Sequence, residues 1–477
     1  ELHFPWIGLS LVLPVVGAIV VSRLNNPDRG RKWSIGFTAA TLLTTVCGWQ
    51  DFALLGVNLA ADRWQWMSRL CGRELFAMDS LAAPLLPLTA LLFFMTTIAT
   101  LRAKIRKFSF ARALASEAII LATFGCQSSW GLIVLLIAGT IPPGLELRAR
   151  GRSLRIYASH MALFAGLLIL GQFVVFLEGP QRAHGVLAIV PLLLAVLIRS
   201  GIVPFHCWMT DLFEHAKLGT AVAFVTPIVG AFAAVRLVLP IAPDWALRSM
   251  GLVSLVTAVY AAAMALVQRD ARRFFCFLFL SHSALVLVGL EMVTPIGLTG
   301  GLCMWLSSSL ALGGFGLTLR ALEARLGRLS LTEYQGLGSH TPNLATCFAL
   351  TGLASVGFPG TFGFIGTELL LDGAVETYPF VGVAVAVVAA LNGIAVVQAY
   401  FLLFTGKRNA STVPLPIRFR ERYAVLALAA IIFVGGLVPQ SGVASRHAAA
   451  EAILQARAAK AAQSTPYALG LAIPNQR

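Results

Sequence analysis

The residues best suited to proton chemistry in this sequence stand singly or in short groups inside apolar stretches. Carboxylates and imidazoles exchange protons near neutral pH, and a buried cation can bias their charge. No nucleophile–base pair and no metal-ligand spacing accompanies them. The pattern favours ion transfer over an enzyme active site, and the candidates for an ion pathway are Glu117, Arg199, His206, Asp211, Glu214, His282, Glu368 and Asp372.

Each candidate also has a purely structural interpretation. Glu117 could pair with a nearby Arg, and His282 could be a hydrogen-bonded core histidine. Asp211 and Glu214 could belong to an amphipathic, solvated turn, with Glu368 and Asp372 close to a membrane interface. Which interpretation holds depends on the elements that position these side chains.

Composition predicts that these elements are membrane helices. The 477 residues are 58% hydrophobic and 12% charged, and the mean hydropathy is +0.81. Soluble domains usually carry about 25% charged residues, and apolar runs of about 20 residues, enough to span a bilayer, recur along the chain. The run from Phe4 to Val21 is interpreted as the first span, because it lacks the basic start and cleavage site of a secretory signal.

The sequence predicts an all-helical integral membrane protein with about fourteen spans. They are placed near 5–22, 33–56, 80–101, 110–127, 129–146, 155–177, 185–203, 219–240, 246–267, 273–292, 297–319, 344–373, 379–405 and 422–440.

The net charge of +15 reflects topology rather than nucleic-acid binding. Basic residues gather in alternate loops, and by the positive-inside rule those loops face the cytoplasm of a cell inner membrane. Both termini are then expected on the other side. The basic loops contain Arg23 to Lys32, Arg102 to Arg112, Arg148 to Arg155, Lys217, Arg269 to Arg273, Arg320 to Arg328, and Lys407 to Arg422.

The cysteines predict neither a disulfide framework nor a metal centre. The seven are dispersed, and no two form a CxxC pair. No phosphate-binding glycine loop follows a strand. No cofactor and no metal is therefore expected.

Two spans contain residues that interrupt a helix. In the seventh, Pro204 follows Arg199 closely; in the twelfth, a short run combines one proline with several glycines. A broken membrane helix frees backbone groups and usually lies beside a polar cavity or ion path. The predicted break residues are Pro204, Gly357, Pro359, Gly360 and Gly363.

Several motifs in order along about 300 residues resemble one superfamily. Arg199 to Glu214 is similar to the stretch of antiporter-like subunits of complex I and Mrp complexes in which a buried Lys precedes Pro-Leu/Phe-His-x-Trp. Asp270 to His282 resembles the Asp-x-Lys-Arg…Ser-x-Ser-His stretch, and Leu337 to Glu368 resembles the run containing Leu-Pro-Gly-Thr-x-Gly-Phe. The Asp79 region resembles the Asp-Gly-Leu-Ser start of the third span.

The resemblance implies inverted five-helix repeats, each with one broken helix, and a proton route of buried Glu, Lys and His groups. It divides the chain into spans 1–3 (residues 1–109), a first repeat (110–240), a second repeat (246–405) and the last span with an amphipathic tail (406–477). Ser445 to Ala462 is expected to form this short tail, at the outer interface or against a partner.

Much of the implied route is missing from this sequence. Arg199 replaces the seventh-span Lys, and an Arg is a poor proton relay because it holds its proton firmly. Thr367 aligns with the twelfth-span acid, so that Glu368 is one residue displaced. Apolar or neutral residues occupy other key positions, namely Ile137 or Ala138, Ile228, Met304, Ser308 and Leu312.

Two functions and two partner contexts stay open. The chain is expected to conduct protons or cations as a translocase subunit of a hetero-oligomeric complex, or to act as a non-conducting scaffold for a soluble partner. The assembly could be complex I-like or Mrp-like. It could also be a two-component inorganic-carbon uptake system of the DabB type, with a zinc-containing, carbonic-anhydrase-like cytoplasmic partner.

Overall fold

The computed structural model describes residues 1–63, 75–100, 108–179, 184–406 and 419–464, without the side chains of 419–421 and 461–464. Its first part contains helices α1 (Trp6–Ser22), α2 (Pro27–Leu55), α3 (Ala82–Ile98) and α4 (Phe110–Gly125). The two-residue strands β1 (Leu59–Ala60) and β2 (Met78–Asp79) pair antiparallel between α2 and α3.

Local sequence sets the start and end of α2. Asn26 is the N-cap, and its side chain accepts the backbone N–H of Asp28 at 2.9 Å. Pro27 occupies the first helical position, where its missing N–H is not needed. The helix stops at Gly56, whose φ of 60° lies in the left-handed region that favours glycine.

The next four predicted spans contain several interrupted helices. They comprise α5 (Ser129–Ala138), α6 (Ile141–Ala149), α7 (Arg155–Glu178), α8 (Val186–Ser200), α9 (Cys207–His215), α10 (Leu218–Val225), and α11 (Val229–Ala233) with a π-helical turn at Ala234–Val238. The remaining helices are α12 (Asp244–Leu266), α13 (Ala271–Glu291), α14 (Pro295–Leu326), a 3₁₀ turn (Leu337–Ser339), α15 (Pro342–Ser355), α16 (Phe362–Thr377), α17 (Pro379–Phe404), α18 (Phe419–Leu437) and α19 (Gln440–Ser464).

Seven segments of the described chain are long and apolar enough to cross a membrane by themselves. They are Ser129–Ala149, Arg155–Glu178, Leu218–Val238, Asp244–Leu266, Ala271–Glu291, Pro295–Leu326 and Pro379–Phe404. The other predicted spans correspond to shorter or interrupted helices, and α18 meets α19 at an 80° bend. The chain is thus a multi-pass integral membrane protein, and its described part is mostly helical.

The centre of the bundle is formed by α13 and α14. All of the apolar window of α13 and 94% of that of α14 are buried, whereas only 22% is buried in α7 and 33% in α17. Helices that are apolar all round belong in the interior. Those exposed on one side, α7 and α17, lie at the periphery, where lipid or another subunit covers them.

The described basic loops meet on one side of the bundle, which we call the basic face. Arg31 donates to the Ile98 carbonyl at 3.0 Å and Arg320 to that of Thr96 at 3.0 Å, joining three of these loops. Arg150, Lys217, Arg272 and Arg320 line one pocket. The predicted basic residues at 102–107 and 407–418 lie outside the described part, as does the side chain of Arg420.

The N-terminus and α19 meet the other end of the bundle, which we call the opposite face. His3 contacts Asp51 at 2.6 Å, and Leu2 bridges to Asp62. The tail is longer than predicted and packs on its own chain: Arg446 donates to the Ser80 carbonyl at 2.6 Å and Arg457 to that of Leu239 at 2.6 Å.

Two helix interruptions were not predicted. Gly139 and Thr140 separate α5 from α6, and Thr226 to Ile228 separate α10 from α11. Ile228 itself has a left-handed φ of 49°, which is rare for a β-branched residue. The nearby Pro227 carbonyl accepts the indole N–H of Trp305 at 3.0 Å, so this break is anchored to α14.

Candidate ion-transfer site

The break predicted in the seventh span separates α8 from α9. Gly201 ends α8 with a φ of 71°, and residues 201–206, including Pro204, form a turn before α9 begins. The indole N–H of Trp208 donates to the Ile198 carbonyl at 2.8 Å, and the Val203 amide donates to the Thr257 hydroxyl at 3.1 Å. These bonds satisfy backbone groups that the break frees inside the membrane.

Arg199 lies buried in the last turn of α8, directly before this break. Its guanidinium carbon is 4.2 Å from the centre of the Phe224 ring and 5.7 Å from that of Trp208. Aromatic faces and the carbonyl end of a helix both stabilise a cation. No described carboxylate forms an ion pair with Arg199, which is consistent with a fixed positive charge beside the break.

The remaining candidates of this span follow the turn toward the basic face. The His206 ring packs on Tyr260 and Phe277, and its Nδ1 has no partner among the described residues. Asp211 contacts His215 at 3.0 Å. Glu214 pairs with Arg273 at 2.9 Å and lines an open polar pocket of about 380 Å³ with Arg150, Arg152, His215, Arg272, Glu323 and Arg328.

The second predicted break separates α15 from α16. Gly357 and Gly360 have φ values of 74° and 89°, and Pro359 lies between them. Thr361 caps α16 by accepting the Phe364 amide. Gly363 is not part of the break as predicted, since it lies in the first turn of α16. A side chain there would meet the Ala354 carbonyl at 3.0 Å, so the two half-helices leave little room for any residue larger than glycine.

Glu368 and Asp372 lie on the exposed side of α16, away from the bundle interior. Thr367 instead faces α14, with its hydroxyl 3.8 Å from the Met304 sulfur. Successive side chains on a helix point about 100° apart. Thr367 therefore faces the bundle while Glu368, one residue later, faces outward. The role of Glu368 and Asp372 in an ion pathway stays a prediction.

Glu117 and His282 are buried titratable residues without a described partner. Glu117 is 0% exposed, and neither of its carboxylate oxygens accepts a hydrogen bond from a described residue. Pairing of Glu117 with an Arg is therefore excluded among the described residues. His282 is 2% exposed, and neither ring nitrogen has a partner. Buried polar atoms are rarely left unpaired, and internal water commonly supplies the missing bond.

Neutral polar residues accompany His282 in the second half of the bundle. The Asn392 amide donates to the Ser281 hydroxyl at 2.9 Å, and that hydroxyl donates to the Ala258 carbonyl at 3.0 Å. The hydroxyls of Ser254 and Ser308 and the carbonyl of Asn392 have no described partner. This region therefore offers polar atoms suited to bound water rather than fixed charges.

Sequence reasoning missed Glu146, and it placed Lys217 in a basic loop without connecting the two residues. Glu146 is buried on α6, where it accepts the Lys217 amide at 2.9 Å and the Thr220 hydroxyl at 2.7 Å. Burial lowers the pKa of Lys217; Glu146 opposes this, and Arg112, Arg150 and Arg320 lower it further. The only available signal was a carboxylate three residues after Pro143, which hydropathy alone could not place.

The described residues contain no group of three or more His, Cys, Asp or Glu placed to hold a metal ion. Six cysteines are free thiols there, and Cys71 lies outside the described part. The features that converge in the bundle are helix breaks and buried titratable groups. They define a multi-pass membrane protein with interrupted, polar-lined spans.

Residues 157–392 match the family model described as NADH:quinone oxidoreductase/Mrp antiporter, TM. A relative from Synechococcus sp. (strain WH7803), NAD(P)H-quinone oxidoreductase chain 4, is 26% identical and covers 95% of this chain and 90% of its own length. A chain of respiratory complex I from Thermus thermophilus with bound NADH is 22% identical, with a TM-score of 0.80 over 94% of this chain and 99% of that one.

The same fold occurs in the Mrp complex from Dietzia sp. DQ12-45-1b, where a chain is 17% identical with a TM-score of 0.84 over 96% of this chain and 99% of that one. These matches confirm the predicted resemblance to antiporter-like membrane subunits. The relatives named here do not carry the inorganic-carbon description, and that context stays a prediction.

Proposed function

We propose that this chain is a membrane subunit of a multi-subunit complex and conducts protons or cations across the bilayer. The observation that carries the proposal is the presence of buried, unpartnered Glu117 and His282 in a bundle with two broken helices. Ionisable groups are costly within a membrane and usually serve ion transfer. The complexes that contain the similar chains support a hetero-oligomeric assembly.

The proposal also assigns topology and internal organisation. The basic face is cytoplasmic by the positive-inside rule, so both described ends of the chain lie on the other side of the membrane. Residues 110–240 and 246–405 form the two inverted repeats, preceded by the spans within 1–109 and followed by 406–477. The broken helices α8–α9 and α15–α16 then occupy equivalent places in the two repeats.

Ion flux through the purified complex, reconstituted in liposomes, tests conduction. Glu117→Gln and His282→Ala are expected to lower proton or sodium flux by about 10²-fold, because positioned proton-transfer groups typically contribute at least that much. Glu333→Gln is the matched carboxylate control and is expected to leave flux unchanged, because Glu333 is exposed in the loop after α14.

A scaffold function is the second candidate, and a specific observation favours it. Met304, Ser308 and Leu312 occupy buried positions on α14 where the family resemblance implies titratable groups. An intact wild-type complex without flux would establish the scaffold interpretation. Flux that survives both interior substitutions would overturn the assignment of Glu117 and His282.

A further inference from the structure

Glu146 occupies a position between solvent and the interior of the bundle. It lies in the first half of the fold, on α6, and is only 3% exposed. The two donors to its carboxylate, the Lys217 amide and the Thr220 hydroxyl, are both uncharged. The Lys217 and Thr220 donors come from the start of α10, more than 70 residues further along the chain, so tertiary packing creates the site.

An open pocket, which we call the outer pocket, is lined by Lys217, whose backbone amide bonds to Glu146. Its volume is about 240 Å³, and its lining includes Arg150, Lys217, Gly219, Arg320 and Glu323. The pocket lies on the basic face and brings water to the Lys217 side chain. The reduced pKa of that ammonium, caused first by burial, makes its proton easier to release than that of a fully exposed lysine.

A small cavity, which we call the inner cavity, contacts Glu146 directly and extends from Ser109 of the basic face to Phe224. Its volume of about 20 Å³ can hold one water molecule, since a water needs at least about 10–15 Å³ on this measure. The lining includes Arg112, Ser116, Glu146, Thr220 and Phe224. Gly219 borders both this cavity and the outer pocket, and Phe224 is the ring that carries the Arg199 guanidinium.

We propose that Glu146 is the proton-loading carboxylate of this chain and that Lys217 is its solvent-side neighbour. The assignment rests on the proposed conduction function. A proton taken from bulk solvent through the outer pocket binds the Glu146 carboxylate and neutralises it. Where the Lys217 ammonium passes the proton on, solvent in the pocket reprotonates the resulting amine. The carboxyl group then gives that proton to water in the inner cavity and regains its charge. Arg199 keeps its proton and acts only through its positive charge.

A purely structural role is the competing explanation, because the Glu146 carboxylate also caps the start of α10. Glu146→Gln separates the two roles, since the amide oxygen can still accept a hydrogen bond but the group cannot carry a proton. Thr220→Val is the reciprocal variant, because it removes one capping bond and leaves the carboxylate. Glu178→Gln is the matched control: Glu178 bonds to His184 at 2.8 Å on the opposite face.

Flux through the intact, reconstituted complex tests the proposal. Glu146→Gln is expected to lower flux by about 10²-fold, as expected for loss of a proton-transfer group, without a change in melting temperature. Thr220→Val is expected to lower the melting temperature through loss of one capping bond, and Glu178→Gln is expected to keep wild-type flux. Wild-type flux in Glu146→Gln would overturn this proposal and leave the proposed function standing, whereas absent flux in the wild type overturns both.

Discussion

At the residue scale, burial determines what each charged group can do. Arg199 is stabilised by aromatic rings and a helix end, and it therefore remains a fixed charge. Glu117 and His282 lack such support, since their polar atoms have no hydrogen-bond partner among the described residues. Glu146 has two neutral donors and an adjacent cavity, which provides both a stable resting position and a route for a proton.

Asp62, which lies outside the membrane spans, is a carboxylate on which burial and hydrogen bonds act in opposite directions. Its carboxylate accepts the Ile7 and Gly8 amides at 3.1 and 2.7 Å and thus caps α1. Burial raises its pKa, although both hydrogen bonds act in the other direction. A raised carboxyl pKa in the folded state means that folding favours the protonated form, so the folded protein loses stability as pH rises through this range.

The melting temperature of Asp62→Asn is therefore expected to be higher than that of wild type at pH 7 but not at pH 4. The Asn oxygen retains an acceptor for α1 and carries no charge that burial opposes. Thermal unfolding of the detergent-solubilised protein at both pH values provides the measurement. Asp62→Ala serves as the comparison and is expected to lose about 1 kcal/mol through loss of the cap; a pH-independent gain for Asn would contradict the explanation.

At the element scale, the breaks depend on glycines with left-handed backbone angles. Gly357 has a φ of 74°, and an added Cβ would lie 3.0 Å from the Thr367 hydroxyl. Gly166 on α7 is a suitable comparison, because a Cβ there meets nothing within 4 Å and its φ is helical. Comparing alanine substitutions at Gly357 and Gly166 separates backbone strain from the general effect of adding a methyl group.

Gly357→Ala is expected to destabilise the protein by about 1–2 kcal/mol, the cost of a left-handed conformation for an L-residue. Gly166→Ala is expected to be neutral or slightly stabilising, because alanine has the higher helix propensity. Unfolding of both variants in the same detergent measures the difference. Equal effects would show that the φ at Gly357 imposes no strain.

At the scale of the whole molecule, α19 joins separate parts of the bundle on the opposite face. Arg446 is buried and bonds to the carbonyls of Ser80 and Leu81, beside the start of α3. Arg457 bonds to the carbonyls of Leu239 and Ala242, at the end of the eighth span. The tail thus cross-links regions that are distant in sequence.

Arg446→Ala is expected to lower stability by about 2 kcal/mol, because it leaves buried carbonyls without a charged donor. The exposed Lys460, on the same helix, provides the control, and Lys460→Ala is expected to have little effect. Melting temperatures of the purified protein measure both. Similar values for the two variants would contradict the cross-linking role of α19.

The spans, the basic loops and the two main breaks could be predicted from the sequence because each depends on local chemistry. Apolar length determines a span, charge determines the side of a loop, and Gly or Pro interrupts a helix. The breaks around Pro204 and Gly357 and the grouping of described basic loops on one face are confirmed. Which side of a helix faces the bundle depends on its packing against distant parts of the chain. The exposure of Glu368 and the inward orientation of Thr367 could therefore be learned only from the structure.

Only tertiary structure determined which titratable groups meet. Glu146 accepts a bond from Lys217 across 71 positions in the chain, and neither residue interrupts its hydropathy pattern in a distinctive way. Glu117 looks like an ordinary candidate for an ion pair in sequence, but packing leaves it without a described partner. Composition and spacing thus determine that charges lie within a membrane, while packing determines which of them water and protons can reach.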